Sequence, residues 1–285
     1  DPSVKRQSGL LQPEINNSNV LGSSLTLPYF KVFSENKDLT LTPIWFDTDT
    51  LMSSLEYRQE NKNSNFLSDF AFVNNYQSYT TKKTNSLSHL FLKYNLDLSL
   101  ENFNSSDLNI SINKVSNDSY LNVFDQYITK SKLRPGNFNQ LTNNAVLNLD
   151  HKNYNFETGV LSYENLQIKK QSDRYQYVLP YYNFNKNISQ NYFDGNVSFG
   201  SSGNNVLNNT NRLETNIINN FTYNSLDFIS NLGFKNNFGI NLKNLNSIGK
   251  KSTKYKSSTQ SELISLYNMD VSLPLIKESK ISKNL

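Results

Sequence analysis

Cysteine is absent from all 285 residues. That excludes a disulfide scaffold and a thiolate metal site for this segment. Long apolar runs are absent too: nothing approaches the roughly 20 consecutive apolar residues of a membrane-spanning helix. A helical membrane protein is excluded. A barrel is not, because a barrel strand spends every second residue on its lumen and its mean hydropathy looks soluble. Alanine is scarce, and methionine occurs only 2 times, which disfavours a helix bundle. No charge of one sign dominates: Lys and Arg number 28, Asp and Glu 24, for a net +4. These charges are scattered, where a nucleic-acid surface would concentrate a basic stripe. The run Lys250, Lys251, Lys254 and Lys256 reads as a solvated loop. The opening Asp1-Pro2-Ser3-Val4-Lys5-Arg6 lacks the apolar core of a secretory signal.

What is present is alternation. Leu90, Leu92, Tyr94, Leu96, Leu98 and Leu100 fall in one register; Phe91, Lys93, Asn95, Asp97 and Ser99 fall in the other. Successive side chains of a strand point to opposite faces, so the segment is apolar on one side and mostly polar on the other. Leucine prefers helices, so intrinsic propensity does not explain the pattern. An apolar face kept against propensity meets something apolar: a second sheet in a soluble sandwich, lipid in an outer-membrane barrel. The same grammar recurs around Leu39–Trp45, Leu108–Ile112, Ala145–Leu149 and Leu263–Leu273. A barrel strand needs about 9–11 residues to cross the bilayer, with turn residues between strands.

The expected fold class is all-β: an antiparallel transmembrane β-barrel, with this chain as the N-terminal part of a large barrel carrying about fourteen strands. The expected strands lie near Ser8–Asn16, Ser24–Phe33, Asp38–Phe46, Leu51–Gln59, Phe66–Tyr76, Leu87–Leu100 and Leu108–Lys114. After a long polar insertion at 115–144 they resume near Ala145–Lys152, Asn155–Glu164, Tyr175–Asn185, Gly195–Gly200, Arg212–Tyr223, Leu226–Lys235 and Ser261–Leu273, with Phe238–Leu245 ambiguous. Residues 1–285 read as one partial barrel domain. Short turns alternate with longer connections in part of the chain. If strand one rises from the periplasm, parity puts Gln77–Ser86, Val115–Asn144 and Asn165–Arg174 together on the outer side. The end, through Ser272-Leu273-Pro274, reads as a strand running into a loop rather than as a closing strand.

Single residues add little chemistry. His89 and His151 have no partner at metal-ligand spacing and read as strand-end or lumen residues. Asp47-Thr48-Asp49 lacks the further oxygen ligands of a calcium loop and reads as a hairpin tip. The isolated glycines suit bulges or bends. Trp45, Tyr29, Tyr76, Tyr94 and Tyr163 suit either interfacial girdles or ordinary strand positions. No Ser-His-Asp or paired-carboxylate arrangement stands out, so an enzyme is not expected, and no cofactor or metal is called for.

The opening Lys5-Arg6-Gln7-Ser8-Gly9-Leu10-Leu11-Gln12-Pro13, then Leu25-Thr26-Leu27-Pro28-Tyr29-Phe30 and Asp38-Leu39-Thr40-Leu41-Thr42-Pro43, resembles the lipopolysaccharide-assembly family LptD. Val115-Ser116-Asn117-Asp118-Ser119-Tyr120 with Phe124-Asp125 is similar to a second stretch of that family. Phe30 departs from it, standing where the family often has a second tyrosine. The resemblance implies a large barrel in the outer membrane of a Gram-negative bacterium. It would receive lipopolysaccharide from a periplasmic bridge component and release it into the outer leaflet through a lateral gate. It implies an LptE-like lipoprotein plug as partner, and no nucleic acid. It makes Lys5 and Arg6 part of the stretch that enters the barrel from the periplasm, and Pro13 and Pro28 gate residues. Proline cannot donate a ladder hydrogen bond, so each can equally end a strand or mark a bulge. A porin-like passive channel and a soluble β-sandwich or adhesin are the rival readings.

Overall fold

The alternating segments form one antiparallel sheet of 17 strands with three one-turn helices, in a computed structural model that describes residues 6–78, 84–188, 194–209 and 211–274. The first strands are β1 (Gly9–Leu10), β2 (Glu14–Ser18), β3 (Gly22–Thr26), β4 (Tyr29–Ser34), β5 (Lys37–Phe46), β6 (Leu51–Glu60), β7 (Ser64–Gln77), β8 (Thr84–Asp97) and β9 (Phe103–Val115). Helices α1 (Tyr120–Val123) and α2 (Asp125–Ile128) follow. Then come β10 (Gln140–His151), β11 (Tyr154–Asn165), α3 (Gln171–Arg174), β12 (Tyr175–Ile188), β13 (Gly195–Asn208), β14 (Arg212–Ser225), β15 (Phe228–Ile229), β16 (Lys235–Lys250) and β17 (Gln260–Ser272).

From β5 to β14 each strand pairs antiparallel with the next; β14 then pairs with β16, and β16 with β17. Strands β3 and β4 share one register against β5, with Thr26 opposite Ile44 and Tyr29 opposite Leu41, so together they are one interrupted strand. Strands β1 and β2 form another, against β4 and β3. With those merged and the two-residue β15 set aside, fourteen long strands remain, the expected number. One expected strand is corrected. Most of Leu226–Lys235 is the turn containing β15, and the ambiguous Phe238–Leu245 is the middle of the long β16. Among the described residues the sheet does not close: β2 and β17 have no mutual pairing.

The two faces differ as the alternation requires. Cross-strand neighbours Tyr29, Leu41, Leu55, Phe70 and Leu90 form one apolar row, and Phe66, Tyr94, Ile110, Ala145 and Val160 another. Directly opposed side chains sit about 5 Å apart, so each row is a continuous ridge. Trp45, Phe70, Phe72 and Leu90 remain exposed on this outer face. The inner face carries the row Asp97, Asp107, Asn148, Glu157, Asn183 and Ser202.

The chain between β9 and β10 holds the expected insertion, with bounds and packing that differ from a plain polar loop. It is shorter than 115–144, because β10 begins at Gln140, and it folds back onto the inner face. Tyr120, Leu121 and Phe124 are fully buried and Ile128 nearly so; they pack in one core with Ile44, Phe46, Met52, Val73, Leu87 and Phe91. Tyr120, Phe124 and Ile128 recur every four residues, which stacks them on one side of a helical path. Asp118 at the start of the insertion is held by Arg174 at 2.7 Å. The same guanidinium lies 2.7 Å from Glu164, itself 2% exposed.

Candidate functional site

The first two long strands are broken where they face each other. Leu10 pairs with Tyr29 and Glu14 with Thr26, so strand one carries an extra residue across Leu11–Pro13. Strand two is broken at Leu27-Pro28. Two ladder bonds survive nearby: Leu11 N donates to the Pro28 carbonyl over 2.8 Å, and Leu27 N to the Pro43 carbonyl over 3.2 Å. Backbone groups of successive residues point to alternate neighbours in an antiparallel ladder. Pro28 therefore turns its missing donor toward strand one. Alternation restarted at Glu14 leaves Pro13 facing the free edge. Pro43, within β5 and opposite Ser53, turns its missing donor toward Leu27. The expected pair thus lies at one level, one residue apart in register.

Pro43 is the member that sequence reasoning missed. The signal was available: prolines 13, 28 and 43 stand at equal intervals along the chain. Three successive backbone edges, from the free edge inward, each lack one donor at about the same height. Each missing bond forfeits about 0.5–1.5 kcal/mol.

Below this level, strand one is anchored by charge. Arg6 pairs with the Asp38 carboxylate, which also accepts from Arg58 Nε at 2.6 Å. Both guanidiniums lie over the Phe30 ring, 5.6 and 5.8 Å from its centroid. Asp38 is buried, so two cations offset one desolvated carboxylate. The Ser8 hydroxyl accepts from Val32 N at 2.8 Å. Lys5, expected beside Arg6, lies outside the described residues.

Above it, the insertion reaches the same hairpin. Tyr127 Oη lies 3.0 Å from Ser24 Oγ, the Tyr127 ring packs edge-on against Phe46 at 5.0 Å, and Lys130 pairs with Glu14. Between insertion and hairpin lies a cavity of about 310 Å³, whose lining includes Glu14, Thr26, Pro28, Glu56, Asp69 and Lys130. Deeper, His89 Nδ1 is 2.8 Å from Tyr120 Oη and Nε2 is 3.2 Å from Asp69 Oδ1, off the line of a good hydrogen bond. His89 stacks on Phe91 at 4.2 Å. Burial pushes the Tyr120 hydroxyl far up, so it stays a neutral phenol. This His-Asp-Tyr cluster is buried, with Asp69 at the edge of the cavity, and ties the insertion to β7 and β8. His89 is thus an inner-face residue, and His151 ends β10, as expected. Among the described residues no group of carboxylates or histidines could hold a metal ion.

No family model matches the chain. It is 27% identical over 172 residues to the LPS-assembly protein LptD of Albidiferax ferrireducens, covering 58% of this chain and 20% of that protein. It is 29% identical over 170 residues to the LPS-assembly protein LptD of Legionella pneumophila strains Paris and Philadelphia 1, covering 56% of this chain and 20% of each. The matched stretch thus spans about a fifth of the length of these curated relatives. The chain is LptD-like over that stretch: an all-β, many-stranded antiparallel segment similar to part of proteins named for lipopolysaccharide assembly.

Proposed function

We propose that this chain is part of an outer-membrane translocon that inserts lipopolysaccharide into the outer leaflet. Its broken first hairpin is one bank of a lateral exit, and strands of the longer protein supply the other. The observation that carries this reading is the juxtaposition of Pro13 and Pro28 on the hairpin that ends in an unpaired edge. An edge with missing donors parts from its neighbour at low cost. In lipid an intact ladder would hold, because no water can replace it. Strands of 10–16 residues with one apolar face suit a bilayer crossing. The role is transport, not catalysis. Lys5 and Arg6 mark where the chain enters from the periplasm, next to the bridge component that hands over lipid. An LptE-like lipoprotein fills the remaining lumen.

The test is the double substitution Pro13→Ala with Pro28→Ala in the full-length protein. The Pro13 donor faces the seam and favours its closure by about 0.5–1.5 kcal/mol, and the Pro28 donor stiffens the hairpin that forms this bank. Each 1.4 kcal/mol is tenfold in a two-state balance, so surface lipopolysaccharide should fall while folded barrel levels hold. Normal delivery at normal barrel levels returns the prolines to strand punctuation. The inward-folded insertion also suits a porin-like channel with a constricting loop. Steady ion conductance from the reconstituted protein, with unchanged lipopolysaccharide export in its absence, would favour that rival.

A further inference from the structure

A second inner-face cavity, away from the hairpin, has a built floor and roof. Its floor spans three strands: Lys93 of β8 lies opposite Ser111 of β9, which lies opposite Asn144 of β10, and in the next row Asn95 lies opposite Asn109. Its roof is the insertion segment Lys132–Gly136. Between them lies an open recess of about 510 Å³, a volume within the usual range for a small-molecule site.

The lining is selective in its chemistry. Lys93, Lys132 and Arg134 border the cavity together with Asn95, Asn109 and Asn113, and among the described residues no carboxylate borders it. Arg134 is fixed by its pair with Asp125 and by stacking on Phe138, with 4.9 Å between guanidinium and ring centroid. Lys93 and Lys132 have no ion pair among the described residues. Lys132 also feels Glu56, which borders the neighbouring cavity. Glutamate and aspartate border the hairpin cavity and so cancel Lys130 there. Here no carboxylate of the lining cancels Lys93 and Lys132; Asp97 and Asp107 lie one inner-face row beyond Asn95 and Asn109, with Asp107 taken up by Asn109 and Asn148. Asn109 Nδ2 already donates to Asp107 and Asn113 Nδ2 to the Thr142 carbonyl, which leaves the Asn95 amide and the Asn109 oxygen as the donor and acceptors that vicinal sugar hydroxyls can use. One cation in the floor and one in the roof, beside amides, suit an anionic sugar better than an acyl chain.

We propose that this cavity is a binding site for a phosphorylated sugar, the phosphate between Lys93 and Lys132 and the ring over Asn95 and Asn109. The ligand's source, the sugar region of a passing lipopolysaccharide rather than a free sugar phosphate, rests on the transport reading; the chemistry does not. The test uses the full-length protein in detergent with glucose 1-phosphate, glucose and inorganic phosphate as titrants. Glucose 1-phosphate should bind at least tenfold more tightly than glucose or inorganic phosphate. The double variant Lys93→Gln with Lys132→Gln should lose about tenfold for glucose 1-phosphate and leave glucose unchanged. Heat modifiability in gels shows whether the variant is folded. Equal affinity of variant and wild type, or of glucose 1-phosphate and either other titrant, overturns the site. A photo-crosslinker at position 109 in cells separates the sources. Capture of lipopolysaccharide there supports both readings. Glucose 1-phosphate binding without that capture keeps the site and overturns its link to transport.

Discussion

At the residue scale, Asp38 decides more than its place in the chain suggests. It is buried, yet it holds Arg6 and Arg58, and both stack on Phe30. Asp38→Asn removes the charge and keeps the shape. Hydrogen bonds to charged groups contribute about 1.5–3 kcal/mol each, and Arg6 is half exposed, so its share falls at the low end. The expected outcome is faster amide exchange at Ser8–Leu10 in the full-length protein, with β6–β8 unchanged. Unchanged exchange at Ser8–Leu10 would show that the Ser8 contact alone anchors the strand. Gly22 is a second fixed point. Its φ is +75°, and a Cβ there would collide with the Asp47 carboxylate. Gly22→Ala should loosen the β2–β3 hairpin by about 1 kcal/mol or more, read as exchange at Ser23. Arg6 and Asp38 were both conspicuous in the sequence. Their pairing was not, because it depends on which strands become neighbours.

At the element scale, the β8 register was legible because one face had to stay apolar, and a slip of one residue would have inverted it. The inward packing of the insertion was not legible because its polar residues outnumber the apolar ones. Tyr120, Phe124 and Ile128 are a helical signal inside a chain otherwise written with period two, and each helix is too short to announce itself. The β15 turn failed for a related reason: Leu226, Phe228, Ile229, Leu232 and Phe234 look like a strand but are exposed. Phe124→Ala tests the insertion. A buried Phe→Ala change costs about 3–5 kcal/mol, and here the loss falls on docking of α1 and α2 rather than on the ladder. Protease should then cut within residues 116–139 while the strands stay resistant. Loss of the whole sheet would mean that the insertion is needed for assembly. The β15 turn gives a pH test. Its Asp227 carboxyl is held below the usual range by Lys235 and Asn237. Its contribution is therefore present above that range and lost as pH falls through the lowered value. Exchange at Phe228–Gly233 should rise only below about pH 4.

At the scale of the whole molecule, two free edges and one apolar face set the behaviour of the chain. Along β17, Leu263, Tyr267, Met269 and Val271 are more than half exposed, and on the opposite edge Leu10 and Ile15 are more exposed still. The prolines that loosen the first edge do nothing for the last. Among the described residues β17 presents a nearly regular row of unpaired backbone groups, and in lipid such groups have no alternative partner. The 285-residue chain expressed by itself should therefore aggregate or fail to insert, whereas the longer protein should not. A heat-modifiable, protease-resistant monomer of the chain alone in detergent would show that β2 and β17 can close on each other. The outer face then distinguishes membrane from water in the intact protein. Leu92 and Asn95 sit three residues apart on β8 and point to opposite sides. If the outer face meets lipid, Leu92→Arg near mid-strand should cost about 2–4 kcal/mol and Asn95→Arg much less. Equal costs, or labelling of a cysteine at 95 but not at 96 by a membrane-restricted probe, would mean that the apolar ridges cover something other than a bilayer.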